Sequence, residues 1–328
     1  MQFDLSIQRF MLSFDSPVGR TIPAFAGNVW RGAFGHALRA ATCLTGAPQC
    51  TDCTRKSQCA YAYVFETPPP AEATSMRLYP NAPHPFVLRE LPPTGSASAV
   101  VMLTVIGRAQ RLLPLMVEAL RQAAAGPHGI AGQQLVLRSI RQEARLGQDD
   151  WQRIDDDTGL LSALAPTSCE PPVAPPGVLR MELITPLRVK REGRSLGPTT
   201  LGFSDVFGAL MRRVSMLCSF HGAAPLQAPF AELAGQSRQV RMRAELLGVQ
   251  QKRFSNRQQQ AMPMDGVMGW LEINAADVAP FWPFLWLGQY VHAGSAATMG
   301  LGCYEIAARR PEACTGAPAS LPALPQHA

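Results

Sequence analysis

Four of the eight cysteines fall in one short stretch, Cys43, Cys50, Cys53 and Cys59, spaced C-x6-C-x2-C-x5-C. The tight C-x2-C pair grips a metal from a single turn, and the two outer thiols complete a tetrahedron. Four thiolates suit zinc, with an iron–sulfur cluster the less favoured occupant. Nothing in the pattern leaves the open coordination position that catalysis needs, so the expectation is one structural zinc and no catalytic metal. Disulfides are disfavoured because no secretion signal precedes the loop. Cys169, Cys218, Cys303 and Cys314 are scattered and read as inert.

A second stretch, His292 to Ile306, reads HAGSAATMGLGCYEI, with Gly294, Gly300 and Gly302 close together. Such a loop either turns its N–H groups toward a phosphate or closes a sheet. The order helix, loop, strand and the lack of a Gly-Lys-Ser/Thr run exclude a P-loop and a dinucleotide fingerprint. His292 stands before it, either capping a helix C-terminus or facing a ligand of the loop; Ser295 follows the first glycine. A third stretch, QQKRFSNRQQQ, packs Lys252, Arg253, Ser255, Asn256 and Arg257 around Phe254. It is too polar for a core strand and reads as a hairpin or loop reaching into a partner, with Phe254 a stacking surface for a base. Arg238, Arg241 and Arg243 read as alternating along the preceding strand. Arg212 and Arg213 extend this basic surface or simply cover a helix. His36 and Arg39 sit three apart on the polar side of an earlier helix.

A chain of 328 residues with 47% hydrophobic content suffices for two cored domains. Residues 1–177 carry 15 Lys/Arg against 14 Asp/Glu, and residues 178–310 carry 15 against 9. The surplus charge therefore lies in the second half, as a polyanion-binding surface requires. The apolar runs are broken before a membrane-spanning length, and the N-terminus, MQFDLSIQRFMLSFDS, is not a signal peptide. These features read as a cytoplasmic protein with no membrane partner.

The elements that must position these residues come in two similar sets. In the first half, residues 2–13 read as a strand with Phe3, Leu5 and Ile7 on one face. A helix over residues 29–42 follows, capped by Gly27 and Asn28, then strands near 85–90 and 99–106, a helix over 108–125 and a strand over 133–143. In the second half, a strand over 178–185, a helix over 203–220, a strand pair over 239–250 and 267–274, a helix from Asp277 to about Tyr290 and a final strand repeat the order. The fold class is α+β: two tandem ferredoxin-like βαββαβ domains with antiparallel sheets, the first carrying the cysteine loop. Boundaries fall at residues 1–165, a Pro-rich linker at 166–177, a second domain at 178–310 and a tail at 311–328 read as disordered.

Several segments together resemble a known family. WRGAFGHALR, the cysteine spacing and AYAYVFETPPP carry the likeness in the first half. LITPLRVK, FGALMRRVSML, KRFSNRQQQAMPMDGVMGWLEI and FLWLGQYVHAGSAATMGLGCYEI carry it in the second, the last being the most specific. The chain resembles the RAMP-superfamily endoribonucleases that process CRISPR precursor RNA, the Cas6-like family, in the branch with an N-terminal cysteine loop. The resemblance implies metal-independent cleavage of CRISPR repeat RNA by the 2′-hydroxyl beside the scissile bond, giving a 2′,3′-cyclic phosphate and a 5′-hydroxyl. It implies an acid or base at His36, phosphorane stabilisation by Arg39, and RNA contact or catalysis at His292. RNA binding is assigned to Arg238, Arg241, Arg243, Lys252, Arg253, Ser255, Asn256, Arg257, Gly294, Ser295, Gly300 and Gly302. Many relatives place a lysine after the first glycine, where Ser295 stands here. The alternative within the same family is a non-catalytic RNA-binding RAMP subunit of a CRISPR effector complex. A zinc-dependent nucleic-acid regulator is disfavoured, because no helix-turn-helix or finger-type Cys/His pattern is present.

Overall fold

A computed structural model describes residues 3–19, 22, 26–67, 82–93, 97–156, 158–250, 252–255, 260–263 and 265–309. The first domain comprises β1 (Phe3–Asp15), α1 (Gly27–Thr42), α2 (Ala60–Phe65), β2 (Phe86–Leu91), β3 (Ala99–Ile106), α3 (Leu113–Ala125), β4 (Val136–Glu143), β5 (Trp151–Arg153) and β6 (Thr167–Cys169). Its sheet runs β2-β3-β1-β4-β5, with β6 added to β1, and all its pairings are antiparallel. The four central strands have the ferredoxin-like order. Two expectations need correcting here. The linker is partly built into the first sheet, since Thr167–Cys169 pairs with the start of β1. The helix over 108–125 begins as a 3-10 turn, Gly107–Leu112, and becomes α-helical only where Pro114, lacking an N–H, fits the first turn.

The second domain comprises β7 (Val178–Leu187), β8 (Lys190–Arg191), β9 (Arg194–Ser195), α4 (Phe203–His221), α5 (Phe230–Ser237), β10 (Met242–Val249), β11 (Lys252–Ser255), β12 (Gln260–Pro263), β13 (Gly266–Asn274), α6 (Ala275–Val278), α7 (Trp282–Val291) and β14 (Tyr304–Arg309). The sheet order β10-β13-β7-β14 is again ferredoxin-like. Short hairpins, β8–β9 and β11–β12, project from it. The helix expected to open at Asp277 opens instead at Asn274, whose side chain accepts from the Ala276 N–H at 3.1 Å. Pro280 then breaks it, so α6 and α7 are separated by a 3-10 turn, Ala279–Phe281. The short α5 has no counterpart in the sequence reading. Among the described residues no helix is long and apolar enough to cross a membrane. The tail expected to be disordered lies outside the described residues.

One strand serves both cores. Phe10, Leu12 and Phe14 of β1 are fully buried with Trp30, Phe34 and Leu38 of α1 and with the inward side of α3. Phe3, Leu5 and Ile7, of opposite parity, pack into the second core with Phe207 and Phe284. Because successive side chains leave a strand on opposite faces, this parity switch sandwiches the first sheet between its own helices and the second domain. The Phe3 and Phe284 rings meet edge to face at 5.4 Å, which pins the junction.

Candidate nucleic-acid interface

On α1, burial of Trp30, Phe34 and Leu38 turns His36 outward, and it is exposed as expected. No hydrogen bond or ion pair engages its imidazole among the described residues. Arg39, one turn on, is committed elsewhere. Its guanidinium donates to the carbonyls of Ala47 and Pro48 and lies 5.8 Å from the Tyr61 ring centre, so it clamps the cysteine loop to the helix end. Cys43, Cys50, Cys53 and Cys59 all line one cavity of about 280 Å³, and the Thr45 hydroxyl lies 3.5 Å from the Cys53 sulfur. In this arrangement no group of three or more metal-binding side chains comes close enough to hold an ion, among the described residues. Backbone N–H groups at Gly46 and Thr45 pull the Cys43 thiol down, whereas partial burial pushes Cys50 up.

The glycine loop serves mainly as the seat between the domains. A Cβ on Gly27, at the start of α1, would collide with the Met299 carbonyl, and one on Gly302 with the Ala293 carbonyl. Gly27 is therefore demanded by close approach, not by capping: the N-cap is Ala26, with no side-chain cap bond. Gly300 donates to Ala297 O and Gly302 to Pro186 O; both are buried, which takes them off any RNA-facing surface. His292 is 3% exposed, and its Nδ1 lies 3.1 Å from Leu301 O. Burial holds its pKa well below the ordinary value. It takes the capping role of the two read from sequence and keeps the loop closed. Gly294 and Ser295 differ from these: both are half-exposed.

They form the floor of a cleft of about 520 Å³ whose walls are Arg188, Val189, Lys190, Arg191 and Glu192 on one side, and Ser204, Asp205, Arg212 and Arg213 of α4 on the other. Pro83 of the first domain also lines it. Asp205 is neutralised by Arg191 and also accepts from the Gly202 N–H at 2.9 Å. Lys190 and Arg212 are exposed at the rim, so the cleft is electropositive. Arg238 belongs to its extension, a cavity of about 410 Å³ shared with Arg191 and Asp205. That corrects its assignment to a strand: it is the C-cap of α5.

The open face of the second sheet offers no comparable surface. Arg180 bonds Glu182 and Glu272, each at 3.0 Å, and Arg243 approaches Glu272 at 4.0 Å. Both guanidinium groups cover Trp270, at 4.0 and 5.6 Å from its ring centre. Charges paired across neighbouring strands and a covered aromatic leave no platform for stacked bases. Arg241 is exposed just before β10. The basic run does form a hairpin, with Lys252–Ser255 paired to Gln260–Pro263. Asn256 and Arg257 lie outside the described residues. No hydrogen bond, ion pair or ring contact joins His36, Arg39 and His292 among the described residues. Arg188, Lys190 and Arg191 were missed as site residues, although LITPLRVK had marked the segment.

Behind the cleft the two domains share a buried polar junction. His221 Nε2 lies 2.7 Å from Pro83 O and must donate there, so its Nδ1 accepts from the Tyr63 hydroxyl at 3.1 Å. An Arg31 amino group lies 3.2 Å from His84 Nε2. Burial pulls the His84 pKa to about 3 and that of His221 to about 4.

Comparison with known proteins places this arrangement. Residues 3–165 match a family model described as an N-terminal domain, and residues 181–304 match that of the CRISPR-associated endoribonuclease Cas6. No curated protein matches in sequence. The fold is similar to that of Thermus thermophilus Cas6 (TTHB231) in a product complex, at 14% identity and a TM-score of 0.54, covering 92% of this chain and 99% of that one. A Cas6 (TTHA0078) product complex matches at 15% identity and a TM-score of 0.52, over 93% and 100% of the two chains. A partial Cas6-RT-Cas1–Cas2 complex matches at 11% identity and a TM-score of 0.52, over 97% of this chain and 48% of that one. The second half thus matches the model of the Cas6 endoribonucleases, and the chain has the fold of the solved Cas6 structures almost throughout its length.

Proposed function

We propose that this protein cuts CRISPR repeat RNA without a catalytic metal, by attack of the 2′-hydroxyl on the adjacent phosphate, to leave a 2′,3′-cyclic phosphate and a 5′-hydroxyl. The observation that carries this reading is the electropositive cleft between the β7–β8 segment and α4, in the Cas6 domain itself. Phosphate contacts dominate affinity for such a ligand, and the second half holds the surplus charge. His36 is the proposed proton-transfer group: it is exposed, and an imidazole suits acid or base work near neutrality. The cleft walls and the β11–β12 hairpin are proposed to hold the strand. Support for a structural zinc comes from the four thiols bordering one cavity, and the loop would have to contract to bring them onto one ion.

One observation favours the second reading, a non-catalytic RNA-binding subunit of an effector complex. Two of the three residues expected to share the chemistry are engaged elsewhere: Arg39 clamps the cysteine loop and His292 is buried. Incubation of wild type and His36→Ala with the repeat RNA decides between them. The enzyme reading expects the variant to cleave about 10²–10⁴-fold more slowly at nearly unchanged affinity. Wild type that binds the repeat and never cuts it would establish the second reading.

A further inference from the structure

Arg213 is a half-buried guanidinium at the domain junction, and no carboxylate pairs with it among the described residues. It lies on α4 beside Arg212, and its Nε donates to Val291 O at 2.6 Å, tying α4 to the end of α7. Its Nη2 is buried and has no hydrogen-bond partner among the described residues. Burial alone pulls its pKa down to about 10, with no carboxylate contributing. The ionisable groups facing it, His84, His221 and His292, are themselves held neutral by burial. Buried cations are ordinarily paired, because a charge taken out of water without a partner is costly. A stability role alone is a poor account of it, since an apolar side chain of that size would avoid the cost.

Arg213 also lines the cleft described above, with Lys190, Arg212 and Ser295 around the same space. Of the two acids there, Asp205 is already taken by Arg191, and Glu192 stands exposed in the β8–β9 turn. We propose that the missing counter-ion of Arg213 is a phosphodiester of the bound RNA, seated at this end of the cleft against Arg213, Arg212, Lys190 and Ser295. This rests on the RNA-processing reading. The guanidinium is half-buried, so its attraction for an entering phosphate is less screened than that of a fully exposed arginine. It reads charge and not base, and fixes the strand beside Gly294 and Ser295.

The test measures binding of the repeat RNA across a salt series for wild type, Arg213→Gln and Arg213→Lys. Arg213→Gln is expected to bind about 10- to 100-fold more weakly, the range for a lost charge-assisted hydrogen bond. Its log–log salt slope should flatten by about 0.7, the value of one single-strand phosphate. Arg213→Lys should keep the wild-type slope. A second arm compares thermal unfolding in inorganic phosphate and in chloride at equal ionic strength. Phosphate should stabilise wild type but not Arg213→Gln. If Arg213→Gln binds the repeat with wild-type affinity and slope, the subsite is overturned while the RNA reading stands. If wild type binds no repeat, yet phosphate stabilises it and not the variant, the cleft takes a free oxyanion and both readings fall. Should Arg213→Gln not fold, the exposed Arg212→Ala replaces it, with the same flattening expected and the same unchanged slope overturning the subsite.

Discussion

Lowering the pH from 7 to 5 loads protons onto the unfolded chain that the folded domain junction refuses. His84 and His221 titrate near about 3 and about 4 in the folded protein, and His292 well below its ordinary value, all because burial disfavours the imidazolium. In the unfolded chain a histidine titrates near ~6.5. Between these values the unfolded state binds more protons, so stability is full above the unfolded pKa and falls as pH drops through it. At pH 5 the medium is about 1.5 units below that value, and His84 and His221 are still neutral when folded, so each of these two loses about 2 kcal/mol. The size does not depend on how far below 5 the folded pKa lies. The two together lose about 4 kcal/mol, a large part of the stability of a typical domain, and His292 acts in the same direction. Glu90 runs the other way, since half-burial raises its pKa to about 7, and it offsets part of the loss. The informative quantity is therefore a difference between variants. Urea unfolding of wild type and His221→Gln at pH 7 and pH 5 should show a pH-dependent loss smaller by about 2 kcal/mol in the variant. The variant also loses the Tyr63 and Pro83 bonds, a cost present at both pH values that cancels. Equal losses in the two proteins would refute the claim that the junction holds this histidine neutral.

Protein purified without chelators should contain one zinc per chain, and a Cys50→Ser, Cys53→Ser pair should unfold at lower temperature; metal-free protein of unchanged stability would remove the proposal. Replacing Lys252, Arg253 and Arg257 with alanine should weaken repeat binding and flatten the salt slope by about 0.7 for each phosphate no longer neutralised. An unchanged slope would return the hairpin to an ordinary solvated one.

Much of the fold was legible because periodicity is a local property. The alternation of Phe3, Leu5 and Ile7 announces a strand, and the spacing of Phe207, Leu210, Val214 and Leu217 announces a helix; both are found. What those faces touch was not legible. That β1 feeds the second core with one face and the first core with the other depends on how the domains meet. Gly27 read as a cap because glycine is common at helix ends, but its reason is a carbonyl from a loop more than 270 positions away in the chain. Arg238 read as a strand residue because nothing local announced α5. Arg188, Lys190, Arg191 and Arg194 do form a basic run in sequence, RVKREGR, but that it faces α4 across a cleft depends on how the β7–β8 segment packs. Proline marks its own effects locally, at Pro114 and Pro280, where a helix starts or breaks.

The most direct measurement is the chemistry of the product ends. Wild-type protein incubated with repeat RNA in excess EDTA should cut at one position, giving an upstream fragment with a 2′,3′-cyclic phosphate and a downstream fragment with a 5′-hydroxyl. Cleavage that EDTA abolishes, or fragments ending in a 3′-hydroxyl and a 5′-phosphate, would contradict attack by the RNA's own 2′-hydroxyl.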